Sequence, residues 1–264
     1  MPICRIYDSL GKELAQCSTA AFPPHAKISF GRSSQCDICL KSVAETSISR
    51  NHFYIQEGIG GQWTIYDNGS RAGLIQNAKK IKTAPLVDGA IFRFGGLFFA
   101  FGEKGVPSHY QLKWVGSDGK EHTGTLWEGT NSVGASRDNY VTVREGDISR
   151  FHAHLIIRGK SVLLESVNSI LETEVNGQRI DGAVELHPGD ILSLAGYSIE
   201  LEYLDVAEKR APVLLSQQEV SFRNQRMRTT RNTSRIVACC LLGTAILCLV
   251  ALGVMAMKWL PGAQ

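Results

Sequence analysis

Few of the cysteine, histidine, serine and carboxylate side chains in this sequence have the spacing that a catalytic or metal site requires. Cys36-Asp-Ile-Cys39 has the spacing of a thiolate pair, but a zinc site would need a second pair or two histidines at ligand spacing. A thiol–disulfide site would need the pair to open a helix, whereas this segment is predicted to be a short strand. We therefore interpret both cysteines as small core residues. HExxH, GxSxG, Walker A and GxGxxG patterns are missing from the sequence, so we expect no enzyme, cofactor or metal.

A different polar pattern occurs twice in the chain. Three segments recur in the same order at offsets of 99 or 100 residues: Ser49–His52 as Ser149–His152, Asn77–Ile81 as Asn176–Ile180, and Leu86–Ile91 as Leu186–Ile191. Matches that keep their order and a nearly constant offset indicate an internal duplication. We predict two copies of one domain, over residues 1–106 and 110–206.

Short apolar runs bounded by Gly, Asn or Asp predict that both copies are built of β-strands. The clearest runs are His52–Gln56, Trp63–Asp67, Ile91–Phe94 and Phe98–Phe101 in the first copy, and Ala153–Ile157, Val162–Glu165, Ile191–Leu194 and Ser198–Leu204 in the second. No window before residue 205 has the 3.6-residue apolar period of a helix. The pattern favours an all-β fold of two tandem β-sandwiches.

At these positions the chain resembles the forkhead-associated (FHA) domain family. The first copy has, in the order typical of the family, Gly31-Arg32, Ser49-Arg50-Asn51-His52, Asp67-Asn-Gly-Ser70, Gly73 and Leu86…Gly89. The match covers most of residues 3–103, and a more degenerate match covers residues 112–204. The resemblance implies eleven-stranded β-sandwiches whose loops at one end bind phosphothreonine in partner proteins, and it implies no catalysis.

The resemblance also implies which residues of the first domain bind a phosphopeptide. Arg32 would hold the phosphate, because a planar guanidinium can donate two parallel hydrogen bonds to it. Ser49 would donate its hydroxyl to the phosphate, and Arg50 would add positive charge. Gly31 would support the site by giving the backbone freedom beside Arg32, and His52 by bracing the loop. Taken without the family pattern, both arginines would be ordinary solvated loop residues.

One departure from the family weakens the site expected in the first domain. Members usually have Asn-Gly where this chain has Ala72-Gly73, and the Asn side chain grips the peptide backbone beside the phosphothreonine. Alanine cannot donate a hydrogen bond. We expect a loss of about 1–3 kcal/mol, or about 5- to 150-fold in affinity.

The second domain departs further from the family. Ala135 replaces the main arginine, and Leu171-Glu172 stands where Asn-Gly is expected. Ser149 and Arg150 survive, and Arg137 could swing toward the vacant position, so we predict at most a weak second site. The expected role of this domain is to pack against the first domain or against a protein partner.

Charge is distributed unevenly along the chain. Residues 209–264 hold eight Lys or Arg side chains against one Glu, a net charge of +7, whereas residues 1–208 carry −4. A binding surface for nucleic acid needs an excess of basic side chains, so an acidic pair of domains argues against nucleic acid as a partner. The basic residues instead precede an apolar segment, where we predict a tether over residues 207–235.

The apolar segment has the length of a membrane span. Residues 236–257 contain no charged side chain, and at about 1.5 Å per residue a helix of this length crosses a bilayer core. Arginines cluster before the segment and the first ten residues do not resemble a signal peptide. We therefore predict a single-pass, tail-anchored membrane protein with cytosolic N-terminal domains and a short extracytoplasmic tail at 258–264.

Two functions of different class remain open at this point. The first is a signalling adaptor, tethered to a membrane, that binds a threonine-phosphorylated protein through Arg32, Ser49 and Arg50. The second is a phosphate-independent scaffold that self-associates or joins a larger membrane complex. Secretion-system inner-membrane ring proteins resemble that plan, although they have a large extracytoplasmic region that this sequence lacks.

Overall fold

The computed structural model describes residues 2–41, 47–167 and 172–204. The tether, span and tail predicted for residues 207–264, and Leu171, lie outside these described residues. Within them the chain forms 22 β-strands and one turn of 3-10 helix, Thr19–Ala21. The predicted all-β fold is confirmed for this part of the chain.

Two series of eleven strands follow one another along the chain. The first series is β1 (Ile3–Tyr7), β2 (Glu13–Ser18), β3 (Lys27–Gly31), β4 (Ile38–Cys39), β5 (Phe53–Glu57), β6 (Trp63–Asp67), β7 (Leu74–Gln76), β8 (Lys79–Ile81), β9 (Thr83–Leu86), β10 (Ala90–Phe94) and β11 (Leu97–Phe101). The second series is β12 (Pro107–Val115), β13 (Glu121–Trp127), β14 (Gly129–Gly134), β15 (Val141–Thr142), β16 (Ala153–Arg158), β17 (Ser161–Ser166), β18 (Thr173–Val175), β19 (Gln178–Arg179), β20 (Ala183–Leu186), β21 (Ile191–Leu194) and β22 (Tyr197–Tyr203).

Each series folds into a sandwich of a six-stranded and a five-stranded sheet. In the first domain the strand orders are β2-β1-β11-β10-β7-β8 and β4-β3-β5-β6-β9. In the second they are β13-β12-β22-β21-β18-β19 and β15-β14-β16-β17-β20, which is the same topology with every strand number raised by eleven. The duplication seen in the sequence therefore extends to the pairing of every strand.

Observed strand boundaries lie close to the predicted ones. Trp63–Asp67 and Ile191–Leu194 are strands over the predicted residues. The strand predicted to start at His52 starts instead at Phe53. His52 belongs to the preceding loop, because its ring accepts a hydrogen bond from the backbone N–H of Ser49 there.

Aromatic rings fill the core of the first domain. Phe30 and Phe53 stack with their ring centroids 4.6 Å apart, and Phe99 meets Phe53 edge-on at 5.2 Å. All three rings are at most 1% exposed, and burying a Phe side chain stabilises a fold by roughly 1.5–3 kcal/mol. This core lies under β3 and β5 and so fixes the strand ends from which the adjoining loops emerge.

Strand β11 joins the two domains. All five of its residues are buried: Phe99 and Phe101 face the core of their own sandwich. Phe98, on the opposite face, packs in a second cluster that includes Trp127 and Tyr140 of the second domain. The expected packing of the second copy against the first is confirmed by this cluster.

Among the described residues no helix has the length and apolar character needed to cross a membrane.

Candidate functional site

Two loops meet where β3 ends and β5 begins. The backbone N–H of Arg32 donates to the carbonyl oxygen of Ser49 at 3.1 Å, and that of Ser33 donates to the carbonyl oxygen of Arg50 at 2.9 Å. These two bonds continue the pairing of β3 with β5 beyond the strands. The motif residues predicted from two distant segments of sequence are thus held side by side.

Gly31 allows this close approach of the two loops. A Cβ at position 31 would lie 2.2 Å from the carbonyl oxygen of Arg50 and 3.0 Å from the backbone nitrogen of His52. The backbone φ of Gly31 is not positive, so its conformation is open to residues other than glycine. The predicted reason for glycine here, conformational freedom, is therefore wrong. Glycine is required because a backbone carbonyl occupies the space of a side chain.

His52 connects the loop before β5 with the loop before β7. Its Nδ1 accepts a hydrogen bond from the backbone N–H of Ser49 at 3.1 Å, and its Nε2 lies 3.3 Å from the carbonyl oxygen of Gly73. A neutral ring with its proton on Nε2 satisfies both contacts. Complete burial of the side chain lowers the pKa of His52, outweighing the carbonyl of Gly73 and the charge of Asp67, which raise it. His52 is thus a neutral ring bonded to two loops.

Arg32 and Ser49 keep hydrogen-bonding capacity for a ligand. Arg32 is exposed, and its Nε donates to the carbonyl oxygen of Ile48 at 2.5 Å. Its two Nη atoms have no partner among the residues that the structure describes. The Oγ of Ser49 accepts a hydrogen bond from the backbone N–H of Arg71 at 3.0 Å. The hydroxyl proton of Ser49 can then be donated elsewhere.

The predicted residues line one cavity of about 550 Å³. Its walls are made by Arg32, Ser33, Ser49, Arg50, Asn51 and Asn68. Two guanidinium groups, two hydroxyls and two amides are thus brought together, and none of the six residues carries a negative charge. Such a set of donors suits a polar anion.

Three of the lining residues, Ser33, Asn51 and Asn68, were not predicted from the sequence. Ser33 and Asn51 are chain neighbours of Arg32 and Arg50, and that adjacency was the available signal. Asn68 is brought in by its backbone N–H, which donates to the carbonyl oxygen of His52 at 3.0 Å. This contact between two loops has no local signature in the sequence.

Cys36 contributes more than core packing to the loop that carries Arg50. The thiol is 2% exposed and its Sγ lies 3.2 Å from both the carbonyl oxygen of Arg50 and the Oδ1 of Asn51. Burial raises the pKa of Cys36, so the thiol keeps its proton and donates. Cys39, the other residue of the pair, is half-buried at the end of β4.

Asp67 organises the turn that contains Ala72. Its Oδ1 accepts hydrogen bonds from the hydroxyl and the backbone N–H of Ser70, and its Oδ2 lies 3.1 Å from the Nζ of Lys82. Burial alone would raise the pKa of Asp67, but these bonds and the charge of Lys82 lower it. The Oγ of Ser70 in turn accepts from the backbone N–H of Gly73 at 3.0 Å. Ala72 is therefore held in a well-bonded loop.

The second domain repeats the loop framework without the main arginine. Ala135 N–H donates to the carbonyl oxygen of Ser149 at 2.9 Å, and Ser136 N–H donates to that of Arg150 at 3.0 Å. His152 accepts from the backbone N–H of Ser149 at 3.2 Å, as His52 does from Ser49. Ala135, whose side chain is only a methyl group, makes the backbone bond that Arg32 makes in the first domain. The scaffold of a phosphate site is present without its principal cation.

Two of the remaining residues considered for the second domain, Arg137 and Glu172, are not brought together at one site. Glu172 is exposed and pairs with Arg179 at 2.9 Å, while Leu171 lies outside the described residues. Arg137 lines a separate cavity between the two domains, in which Arg93 and Ala72 of the first domain also take part. A swing of Arg137 toward Ser149 and Arg150 stays a prediction.

Parts of this chain are similar to proteins of known sequence or structure. The ABC transporter ATP-binding/permease protein Rv1747 of Mycobacterium tuberculosis is 35% identical over 83 residues, which are 31% of this chain and 9% of that protein. The crystal structure of the Rv1747 FHA-1 domain is 25% identical and covers 39% of this chain and 98% of its own, with a TM-score of 0.29. The FHA domain of CT664 from Chlamydia trachomatis is 27% identical and covers 37% of this chain and 100% of its own, with a TM-score of 0.33.

The FHA domain family model matches this chain twice, over residues 28–95 and 131–195. The first match contains Arg32, Ser49 and Arg50, and the second contains the equivalent loops of the duplicated sandwich. The two matches together take up half of the chain, which therefore belongs to the FHA domain family, a family of protein-interaction modules, and carries two copies of the domain.

Proposed function

We propose that this chain is a membrane-tethered adaptor whose first FHA domain binds a threonine-phosphorylated protein at the cytosolic face of a membrane. The cavity that contains Arg32, Ser49 and Arg50 is the observation that carries this proposal. Its two cations and its neutral donors match the charge and the acceptor oxygens of a phosphate dianion. Membership of a family of phosphothreonine-binding modules supports the same conclusion.

Each cavity residue has a separate role in this proposal. The free Nη atoms of Arg32 bind two phosphate oxygens, and Ser49 donates its hydroxyl proton to a third. Arg50 adds charge from the neighbouring position. Asn68, which is exposed beside them, can offer its side-chain amide to the peptide backbone. That amide would replace part of what Ala72 lacks.

Tethering to the membrane is the second part of the proposal. It rests on the uncharged segment 236–257 and on the arginines that precede it. A basic stretch near anionic lipid adds about 1 kcal/mol of attraction per Lys or Arg close to the surface. Excess positive charge before the segment supports a topology with the FHA domains in the cytosol and residues 258–264 across the membrane.

A phosphate-independent scaffold is the competing function. The observation in its favour is that the second domain has Ala135 in place of the arginine and uses Trp127 and Tyr140 to pack on the first domain. A domain used in this way serves as a structural part. In a scaffold, as in an inner-membrane ring of a secretion system, Arg32 would have no essential role.

Calorimetric titration of the full chain in detergent with a degenerate phosphothreonine peptide pool distinguishes the two functions. Recognition predicts saturable binding that the unphosphorylated pool lacks, that Arg32→Ala abolishes and that Arg150→Ala leaves intact. Arg150 is the matched control because it occupies the equivalent loop of the second domain. No binding of the phosphorylated pool by the parent protein would favour the scaffold.

Protease digestion of sealed membranes tests the proposed topology. In inverted vesicles, where the cytosolic face is outside, an added protease should remove both FHA domains. In right-side-out vesicles the domains should be cut only after detergent is added. Digestion of the FHA domains from outside an intact cell would contradict the proposed orientation.

A further inference from the structure

The two FHA domains form a joint that fixes a loop of the second domain beside the first. Arg93 on β10 donates from Nη1 to the backbone carbonyl oxygens of Arg137 and Asn139, and its Nη1 lies 3.2 Å from the Oγ1 of Thr142. Tyr140 in the same loop is 7% exposed and packs against the ring of Phe98. The segment from residue 135 to residue 144, which includes β15, is therefore held against the six-stranded sheet of the first domain.

A cleft of about 710 Å³ lies along this joint, and most of its charged side chains are basic. The cations are Arg71, Lys80 and Arg93 from the first domain and Arg137 and Arg144 from the second. Among the described residues that line it, Asp138 is the single carboxylate. We refer to this cavity as the interdomain cleft.

Four of these cations have no acidic partner in the described part of the chain. Arg71, Lys80, Arg137 and Arg144 are exposed and take part in no described ion pair. Arg93 donates to two backbone carbonyl oxygens and lies near one hydroxyl, so its guanidinium is part of the joint that forms one side of the cleft. A cleft lined by one sign of charge focuses its potential and concentrates ions of the opposite sign.

The interdomain cleft adjoins the phosphate cavity of the first domain. The backbone N–H of Arg71, whose residue lines the cleft, donates to the Oγ of Ser49, whose residue lines the phosphate cavity. Ala72, at the position where the family usually grips the peptide with Asn, also lines the cleft. A peptide that leaves the phosphate cavity past Ala72 enters the cleft, and an extended chain advances about 3.3–3.6 Å with each residue.

We propose that the interdomain cleft binds a second anionic group of the same partner, displaced by a few residues from the phosphothreonine. The ligand is a peptide with two anionic centres, the second being a further phosphate or a run of carboxylates. The second domain then acts in recognition by supplying Arg137 and Arg144 to a site that neither domain forms alone. This inference rests on the proposed function of the first domain.

Titration of the full chain in detergent with paired peptides tests the composite site. One peptide pool carries a single phosphothreonine, a second carries an additional phosphate two to six residues away, and a third carries acidic residues there. We expect the two doubly anionic pools to bind about ten-fold more tightly than the first, since two exposed ion pairs together contribute on this scale. Comparison of the second and third pools shows which anion the cleft prefers.

The double variant Arg137→Gln, Arg144→Gln should remove this advantage and leave binding of the singly phosphorylated pool unchanged. Both side chains are exposed, and the backbone carbonyl that accepts from Arg93 is kept. Arg158→Ala is the matched control and should have no effect. Arg158 is an exposed arginine of the second domain at the last position of β16 and does not line the cleft. The charge-retaining variant Arg137→Lys, Arg144→Lys should keep part of the advantage. Equal binding of all three pools by the parent protein would overturn the proposal.

Titration with inorganic pyrophosphate tests anion binding by the interdomain cleft independently of phosphothreonine binding by the first domain. In an Arg32→Ala variant the cleft should still bind pyrophosphate, and adding Arg137→Gln and Arg144→Gln should abolish that binding. If no peptide pool shows binding that depends on Arg32, the first-domain function fails, while pyrophosphate binding still reports on the cleft. Loss of pyrophosphate binding in Arg32→Ala alone would show that the cleft holds no anion. Anionic lipid that binds through Arg137 and Arg144 while doubly anionic peptides do not would also overturn the proposal.

Discussion

Tyr140 of the second domain donates its hydroxyl to the backbone carbonyl oxygen of Ile91 in the first domain, across 2.8 Å. Both residues are 7% exposed, and burial raises the pKa of Tyr140, so the hydroxyl keeps its proton. A buried hydrogen bond between two sandwiches fixes their relative position more specifically than apolar contact does. The interdomain cleft depends on that position, since it is lined from both sides.

Removing the Tyr140 hydroxyl should loosen the joint without unfolding either domain. Tyr140→Phe leaves the buried carbonyl of Ile91 without its donor, and we expect a loss of about 1–3 kcal/mol in the free energy of unfolding. Urea denaturation of the full chain measures this loss. Tyr203→Phe, at a tyrosine that is 47% exposed, is the control and should change stability by at most about 0.5 kcal/mol. Equal stability of the two variants would mean that the bond contributes nothing.

Gly31→Ala should damage the phosphate site through the backbone. The new Cβ would lie 2.2 Å from the carbonyl oxygen of Arg50, so the two loops must separate at a cost of about 1–3 kcal/mol. We expect lower stability in denaturation and weaker phosphopeptide binding in calorimetry. Gly60→Ala is the matched control, because nothing lies within 4 Å of a Cβ there. A Gly31→Ala variant as stable as Gly60→Ala would contradict the close approach.

Restoring an amide at position 72 should strengthen peptide binding. Ala72→Asn supplies the side chain that the family usually has at this position, and a hydrogen bond to the peptide backbone adds about 0.5–1.5 kcal/mol. Affinity for a phosphothreonine peptide should rise about 2- to 13-fold, as measured by calorimetry. Ala72→Leu, whose side chain branches at Cγ as that of Asn does but has no amide, should give no gain. A gain in both variants would indicate contact area rather than a hydrogen bond.

Stability should fall as the pH is lowered through the range below 6.5. Burial lowers the pKa of both His52 and His152 from the ordinary value of 6.5. The unfolded chain therefore binds more protons than the folded protein in the window between the lowered values and 6.5. Above that window both histidines are neutral in the folded and in the unfolded chain, and the free energy of unfolding has its full value. It decreases as the pH falls through the window.

Urea denaturation at about pH 7.5 and about pH 5.5 measures this dependence. The double variant His52→Gln, His152→Gln should be less stable at both pH values but should show a smaller difference between them. The slope rather than the absolute stability is the test, because each substitution also removes two hydrogen-bond contacts of the imidazole ring. An unchanged slope in the double variant would assign the pH dependence to other groups.

Local patterns in the sequence determined the duplicated all-β architecture and the loops of the candidate site. The strand Trp63–Asp67 was predicted to the residue, since alternation of apolar residues between turn formers follows from the two-residue period of a strand. Ser49 and Arg50 could be named because they stand in a short motif that resembles the FHA family, and the recurrence of that motif 100 residues later showed the duplication. These features depend on residues close together in the chain.

The tertiary structure alone decided how the two domains meet. Phe98 on β11 belongs to an apolar run, and the sequence did not show that its outer face packs on Trp127 and Tyr140. Arg137 was assigned to a site within its own domain, but it lines a cleft shared with Arg93. Docking of two sandwiches depends on the matching of surfaces assembled from distant segments. Such matching has no periodicity or spacing along the chain, so it becomes visible only when the domains are folded and placed together.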